Sequence, residues 1–217
     1  MIGMGAMRAS AVRFLLRTRN HFRFRYRRGQ TELMVGLVRR MRGDDVAMLK
    51  SMRLQALLDT PSAFGSTYER EVAFSDEVWQ GRLRPEGHAH FAVFAANGRP
   101  VGMVAVMADA DEVYAAGLVG MWVACEVRGT GAADSLIVAA IEHARAAGFT
   151  TLRLWITDGN DRAEGCYRRH SFTRTGRTEI RARDGETEIE MVRSMAEPTL
   201  GELESRRLRR GVRNDPS

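Results

Sequence analysis

Polar and apolar positions divide this chain into short blocks, each with the period of a single element. Residues 34–41 (MVGLVRRM) have the character of a short strand, and Gly43-Asp44-Asp45 then offers a turn and a helix N-cap. Val46, Leu49, Met52, Leu54 and Leu57 recur at roughly helical spacing and predict a helix over 46–58, stopped by Thr60-Pro61-Ser62. Ser75-Asp76-Glu77 opens a second helix running to about Leu83, its acids suited to the first turn. Segments 90–96, 100–108 and 116–123 are β-like, separated by Asn97-Gly98 and by the acidic stretch Asp109–Glu112.

The clearest helix is 131–147, where Leu136, Ile137, Ala140, Ile141 and Ala144 make one apolar face and Gly148 supplies a stop. Residues 150–156 (TTLRLWI) alternate as a strand, Asp158-Gly159 turns the chain, and 160–170 reads as a helix. Segments 172–180 and 187–195 predict two strands of a hairpin around Asp184-Gly185. Strands and helices in the order β, α, α, β, β, β, α, β, α, β, β imply an α/β or α+β domain with a mixed sheet.

Charge divides the 217 residues differently. The chain is +6 overall, yet residues 1–31 hold eight Arg and no acid, while 32–197 hold 20 basic and 24 acidic residues. A mildly acidic domain over 34–197 is therefore expected between a basic N-terminal extension (1–33) and a charged tail (198–217). The extension is expected to be disordered or to precede the true start at Met34. Cys125 and Cys166 cannot form a disulfide framework, and no His stands at metal-ligand spacing from them. No apolar run reaches about 18 residues, so no membrane partner is expected.

Candidate chemistry begins between Trp122 and Ala133. Gly129 and Gly131 let backbone approach a ligand just where a helix starts, and free N–H groups and the helix dipole there favour an anion such as a pyrophosphate. A P-loop requires Gly-Lys-Ser/Thr, but the sole lysine is Lys50. A dinucleotide fingerprint requires a third glycine where Asp134 stands.

Residues 121–137 (MWVACEVRGTGAADSLI) resemble the acyl-CoA-binding motif of the GCN5-related N-acetyltransferases (GNAT), Arg/Gln-x-x-Gly-x-Gly/Ala, with Arg128, Gly131 and Ala133 in its defined positions. Asn160-x-x-Ala163-x-x-x-Tyr167, followed by Phe172, is similar to the family's second motif, and Met52–Leu57 with Pro61–Thr67 is similar to a common bacterial branch. The likeness spans about residues 34–195. It implies a mixed, mostly antiparallel seven-stranded sheet flanked by about four helices.

The resemblance also implies roles. Backbone of Gly129, Thr130, Gly131, Ala132, Ala133 and Asp134 would hold the pyrophosphate of acetyl-CoA, with Arg128 either at a phosphate or a solvated loop charge. Met121, Trp122 and Val123 would pair with the pantetheine arm, and the Val123 N–H would stabilise an oxyanion. Asn160 would hydrogen-bond the same arm, although it is also a natural helix N-cap. Tyr167 would be the general acid for the leaving thiolate, since a phenol keeps its proton at neutral pH. The base is open among Glu126, Asp111, Glu112, Glu69 and water. Two departures stand out: Ser171 replaces the family's glycine before Phe172, which suggests an altered helix exit, and Trp155 stands where relatives that acetylate ribosomal N-termini often carry a Glu.

The implied activity is transfer of acetyl from acetyl-CoA to a primary amine of a small molecule or peptide by direct attack, without a metal. The protein is expected to be cytoplasmic, monomeric or homodimeric, and without a nucleic-acid partner. The alternative is a non-catalytic acyl-CoA-binding or interaction module with basic tails. Segments 60–72, 109–116 and the last hairpin would shape the acceptor site.

Overall fold

The computed structural model describes residues 35–84 and 88–195, so the expectations for 1–33 and 198–217 lie outside the described residues. Seven strands form one sheet in the order β1-β2-β3-β4-β5-β7-β6. They are β1 (Val35–Arg40), β2 (His88–Ala95), β3 (Pro100–Ala108), β4 (Ala115–Val123), β5 (Thr151–Thr157), β6 (Thr173–Ile180) and β7 (Thr187–Ser194). Every pairing is antiparallel except β4 with β5. The described helices are α1 (Val46–Asp59), α2 (Tyr68–Val72), α3 (Asp76–Arg82), α4 (Ala132–Ala146) and α5 (Asp161–Arg169).

Helix α4 is the crossover between the parallel strands. It buries Leu136, Ile137, Ala140, Ile141 and Ala144, the face its periodicity predicts, against the sheet. The close approach depends on Gly102 of β3. A Cβ there would lie 2.9 Å from the Trp122 carbonyl oxygen and 3.2 Å from Leu136 Cδ1. Strand β5 alternates cleanly, with Leu152, Leu154 and Ile156 buried and Arg153, Trp155 and Thr157 on the opposite face.

Two irregularities open the sheet. Parallel pairing of β4 with β5 covers only Ala115–Gly117 against Thr151–Arg153. Beyond that point β5 stays with β7 and β4 stays with β3. In β4 the register changes between the pairs Val119–Ala105 and Trp122–Met103, so two residues, Gly120 and Met121, oppose Val104 alone. That is a β-bulge, and Gly120 takes the positive φ of 64° that it uses. The strands therefore part as a fork immediately past Gly117.

Helix α5 keeps a glycine-type exit without the glycine. Phe172 N–H donates to the Tyr167 carbonyl at 3.2 Å and Ser171 N–H to the Arg168 carbonyl at 3.0 Å, the paired bonds of a left-handed helix end. Ser171 pays for this with φ 63°, so the altered exit suggested by its identity is not found. Ser171→Gly should stabilise the protein by about 1 kcal/mol, raising the melting temperature by about 3 °C in calorimetry.

Candidate active site

A cleft of about 970 Å³ lies on the sheet face opposite α4, floored by the fork and overhung by α1, α3 and the loop after β3. Tyr167, Asn160, Met121 and Trp155 all line it. Tyr167 is only 6% exposed, and its ring meets Phe172 edge-on at 5.6 Å between centroids. Burial pushes its phenol pKa up, so the hydroxyl holds its proton throughout the neutral range. Asn160 caps α5, its Oδ1 accepting the Ala163 N–H at 3.1 Å. The cap uses the oxygen and leaves the amide N–H₂ for the cleft, so capping and ligand binding are compatible.

The loop from Val123 to α4 presents backbone. A 3-10 turn at Cys125–Val127 is followed by Gly129 (φ 83°) and Gly131 (φ 92°), the residue that starts α4. The N–H groups of Gly131, Ala132, Ala133 and Asp134 find no acceptor among the described residues. Arg128 is not directed at that concavity. Its Nε donates to the Val123 carbonyl at 2.9 Å and its guanidinium pairs with Asp59, which also accepts the Trp122 indole N–H at 2.9 Å. Arg128 therefore ties the loop to β4 and α1, and an anion would meet N–H groups. The Asp134 carboxylate is covered by Arg169 (3.1 Å) and His170 (2.8 Å). Partial burial alone would raise its pKa, but hydrogen bonds from those partners hold it below its ordinary value.

Strand parity assigns the backbone of β4. Ala124 N–H donates to the Val101 carbonyl, making 101–124 and 103–122 the hydrogen-bonded pairs and 102–123 the open one. The N–H of Val123 thus faces away from β3, toward the fork. Trp122 spends its backbone on β3 and its indole on Asp59, so of these two residues only Val123 offers backbone to the fork.

The base candidates separate. Asp111 and Glu112 line the cleft, and Glu112 is paired with Arg153. Glu126 and Glu69 are not in its wall. Glu126 is held by Arg99 at 2.6 Å, and that hydrogen bond depresses its pKa, the wrong direction for a base. Trp155 lies under the Arg177 guanidinium, 5.8 Å from the ring centroid.

Three features of the cleft were not anticipated from the sequence. Glu188 and Glu190 of β7 share the cleft with Trp155. Glu190 is buried, accepting from the Thr175 hydroxyl at 2.7 Å and from Arg177 at 3.4 Å. The alternation in TEIEMV would have revealed them, with Ile189 and Met191 turned to the core. Across the cleft, Arg53 and Arg82 share the buried carboxylate of Glu71, at 2.7 and 2.9 Å. Next to them His90 lines the floor, its pKa lowered to about 4 by burial first and then by Arg82, His88, Arg40 and Arg53.

A folded pKa below the ordinary 6.5 means that folding favours neutral His90. Its contribution is complete above that pH and is lost as the pH falls toward 4. Urea unfolding should show about 2 kcal/mol of stability lost between pH 6.5 and 4.5, a loss that His90→Gln flattens.

Residues 53–172 match the family model described as the acetyltransferase (GNAT) family. Among solved structures, the chain is similar to an acetyltransferase of the GNAT family from Streptococcus pneumoniae, at 20% identity and TM-score 0.63, covering 73% of this chain and 98% of that one. It is also similar to the ribosomal-protein-alanine N-acetyltransferase from Brucella melitensis (20% identity, TM-score 0.61, 73% and 99% covered). A third is yncA from Salmonella typhimurium, solved with its cofactor acetyl-CoA (17% identity, TM-score 0.62, 74% and 94% covered). No curated protein sequence matches.

Proposed function

Because the chain belongs to the acetyltransferase (GNAT) family, we propose that it moves an acetyl group from acetyl-CoA to a primary amine of a small molecule or peptide by direct attack. The observation that carries this reading is the fork between β4 and β5, with Tyr167 buried in the wall of the cleft it floors and a run of unpaired N–H groups at the start of α4. The acetyl-CoA bound by the Salmonella relative and the amine acceptor named for the Brucella relative support the two substrates.

The residues fit such a donor. Free N–H groups of Gly131–Asp134 suit a pyrophosphate, with the Asp134 charge offset by Arg169 and its carboxylate also hydrogen-bonded to His170. The unpaired strand edge past Gly117 suits an extended amide-bearing arm, which Asn160 can also hydrogen-bond. Acetyl-CoA supplies an activated thioester. As the amine nitrogen bonds to the carbonyl carbon, the Val123 N–H receives the developing oxyanion. The carbon–sulfur bond then breaks and Tyr167 gives its proton to the thiolate. Before it can attack, the acceptor's ammonium must lose one proton, to Asp111 or to water in the cleft; the second proton, shed once the nitrogen is acylated, restores Tyr167.

Isothermal titration of the full chain with acetyl-CoA is expected to show one site, for which CoA and desulfo-CoA compete. No heat at millimolar ligand would remove the donor assignment.

A further inference from the structure

The wall formed by α1, α3 and β2 has no role in donor binding, yet it is built from charged groups held in place. Arg53 donates to Glu71 through Nε and Nη2, and Arg82 donates through Nη1. Stacking fixes both: Arg53 lies 4.5 Å over the Phe64 ring and Arg82 4.5 Å over the Trp79 ring. Two guanidinium groups therefore share one carboxylate, and among the described residues one positive charge is left over at the cleft. Arg53 Nη1 and Arg82 Nε and Nη2 have no acceptor among the described residues. His88 Nδ1 is likewise buried without a partner. His90 is kept neutral by burial first and then by the charges of Arg82, His88, Arg40 and Arg53 around it.

The acids of the cleft lie elsewhere, on the loop after β3 and on β6 and β7. Across the sheet, His90 pairs with Ala105 and Ala105 with Val119. His90 is thus two strand spacings, roughly 10 Å, from β4. The small Ala105 between them keeps the floor open.

We propose that Arg53, Arg82 and His90 form an anion-receiving subsite, so that the acceptor is an amine carrying a carboxylate or phosphate several bonds from its nitrogen. This rests on the amine-acceptor reading. The anion would sit against the basic wall while the amine reaches the fork between that wall and Glu188 and Glu190. Neutral His90 can donate one hydrogen bond to the anion, and the spare guanidinium N–H groups donate the rest.

The test uses the full chain saturated with acetyl-CoA and matched acceptors. These are 4-aminobutyrate and 6-aminohexanoate against their methyl esters, and aminoethyl phosphate against ethanolamine. We expect kcat/KM about tenfold or more higher for the anionic member of at least one pair, the carboxylate or phosphate pairs identifying which anion is preferred. Arg82→Gln should collapse that ratio through KM, and Arg82→Lys should restore part of it. Equal rates within every pair, or a ratio untouched by Arg82→Gln, would overturn the subsite while leaving acetyl transfer standing. If acetyl-CoA binds and no amine is acetylated, the acceptor reading fails. Histidine NMR of the CoA complex then still decides: 4-aminobutyrate or aminoethyl phosphate should move the His90 titration midpoint upward by about one pH unit, and an unmoved midpoint overturns the subsite.

Discussion

Tyr167→Phe is expected to lower kcat by about 100-fold or more while the acetyl-CoA dissociation constant stays within about twofold. The ring is buried against Phe172. Removing one hydroxyl therefore leaves the packing in place and takes away only the proton. Steady-state kinetics paired with calorimetric titration reads both quantities. A fall in affinity that matches the fall in rate would make Tyr167 a wall residue and not the acid. Because burial raises the phenol pKa, the wild-type rate should show no loss attributable to Tyr167 ionisation up to about pH 10.

The largest structural loss is expected at Glu71. Glu71 is 1% exposed, and its one carboxylate pairs with both Arg53 and Arg82. Glu71→Ala leaves two guanidinium groups facing each other with nothing between them, beside His90. Removing one partner of such a buried network costs about 3 kcal/mol or more, which for a domain of this size lowers the melting temperature by about 9 °C. Glu71→Gln should recover part of this through its carbonyl oxygen. Burial alone would raise the Glu71 pKa, but hydrogen bonds and charge from Arg53 and Arg82 outweigh it. The folded pKa is depressed, so this stabilisation is present above the ordinary carboxylate range and is lost as the pH falls below it. Loss from Glu71 therefore begins at lower pH than loss from His90.

Residue period explains which parts of the fold are legible in the chain. Helix α4 spans Ala132–Ala146 against a predicted 131–147, because a sustained apolar face at helical spacing admits one solution. The hairpin of β6 and β7 follows from the turn at Asp184-Gly185, although every residue of β6 is exposed and its core pattern says nothing. Helix α2 within 60–72 is missed because it has five residues and its buried one is Glu71, a charge that apolar periodicity cannot reveal. The fork is not legible in residue period, and a splayed strand end at Met121–Val123 is implied only by the family resemblance. The fork depends on parallel pairing that stops after three residues and on a bulge, and register between distant strands is set by tertiary packing.

The site divides along the same line. Asn160 and Tyr167 sit in one motif on one helix, so their spacing places both in the cleft wall. The direction of Arg128 depends on Asp59, 69 residues away, and that of Glu126 on Arg99, 27 residues away. Partners so distant in sequence leave no local trace. The same holds for the basic wall, whose members come from α1, α2, α3 and β2.

Catalytic acetyl transfer to an amine has a stoichiometric signature. The full chain is mixed with acetyl-CoA and a panel of primary amines, and free thiol is followed by colorimetry with acetylated amine quantified by mass spectrometry. One thiol should appear per acetylated amine, at rates that Tyr167→Phe cuts by about 100-fold. Tight acetyl-CoA binding with no amine acetylated above the Tyr167→Phe background would rule out catalysis and leave a non-catalytic acyl-CoA-binding module.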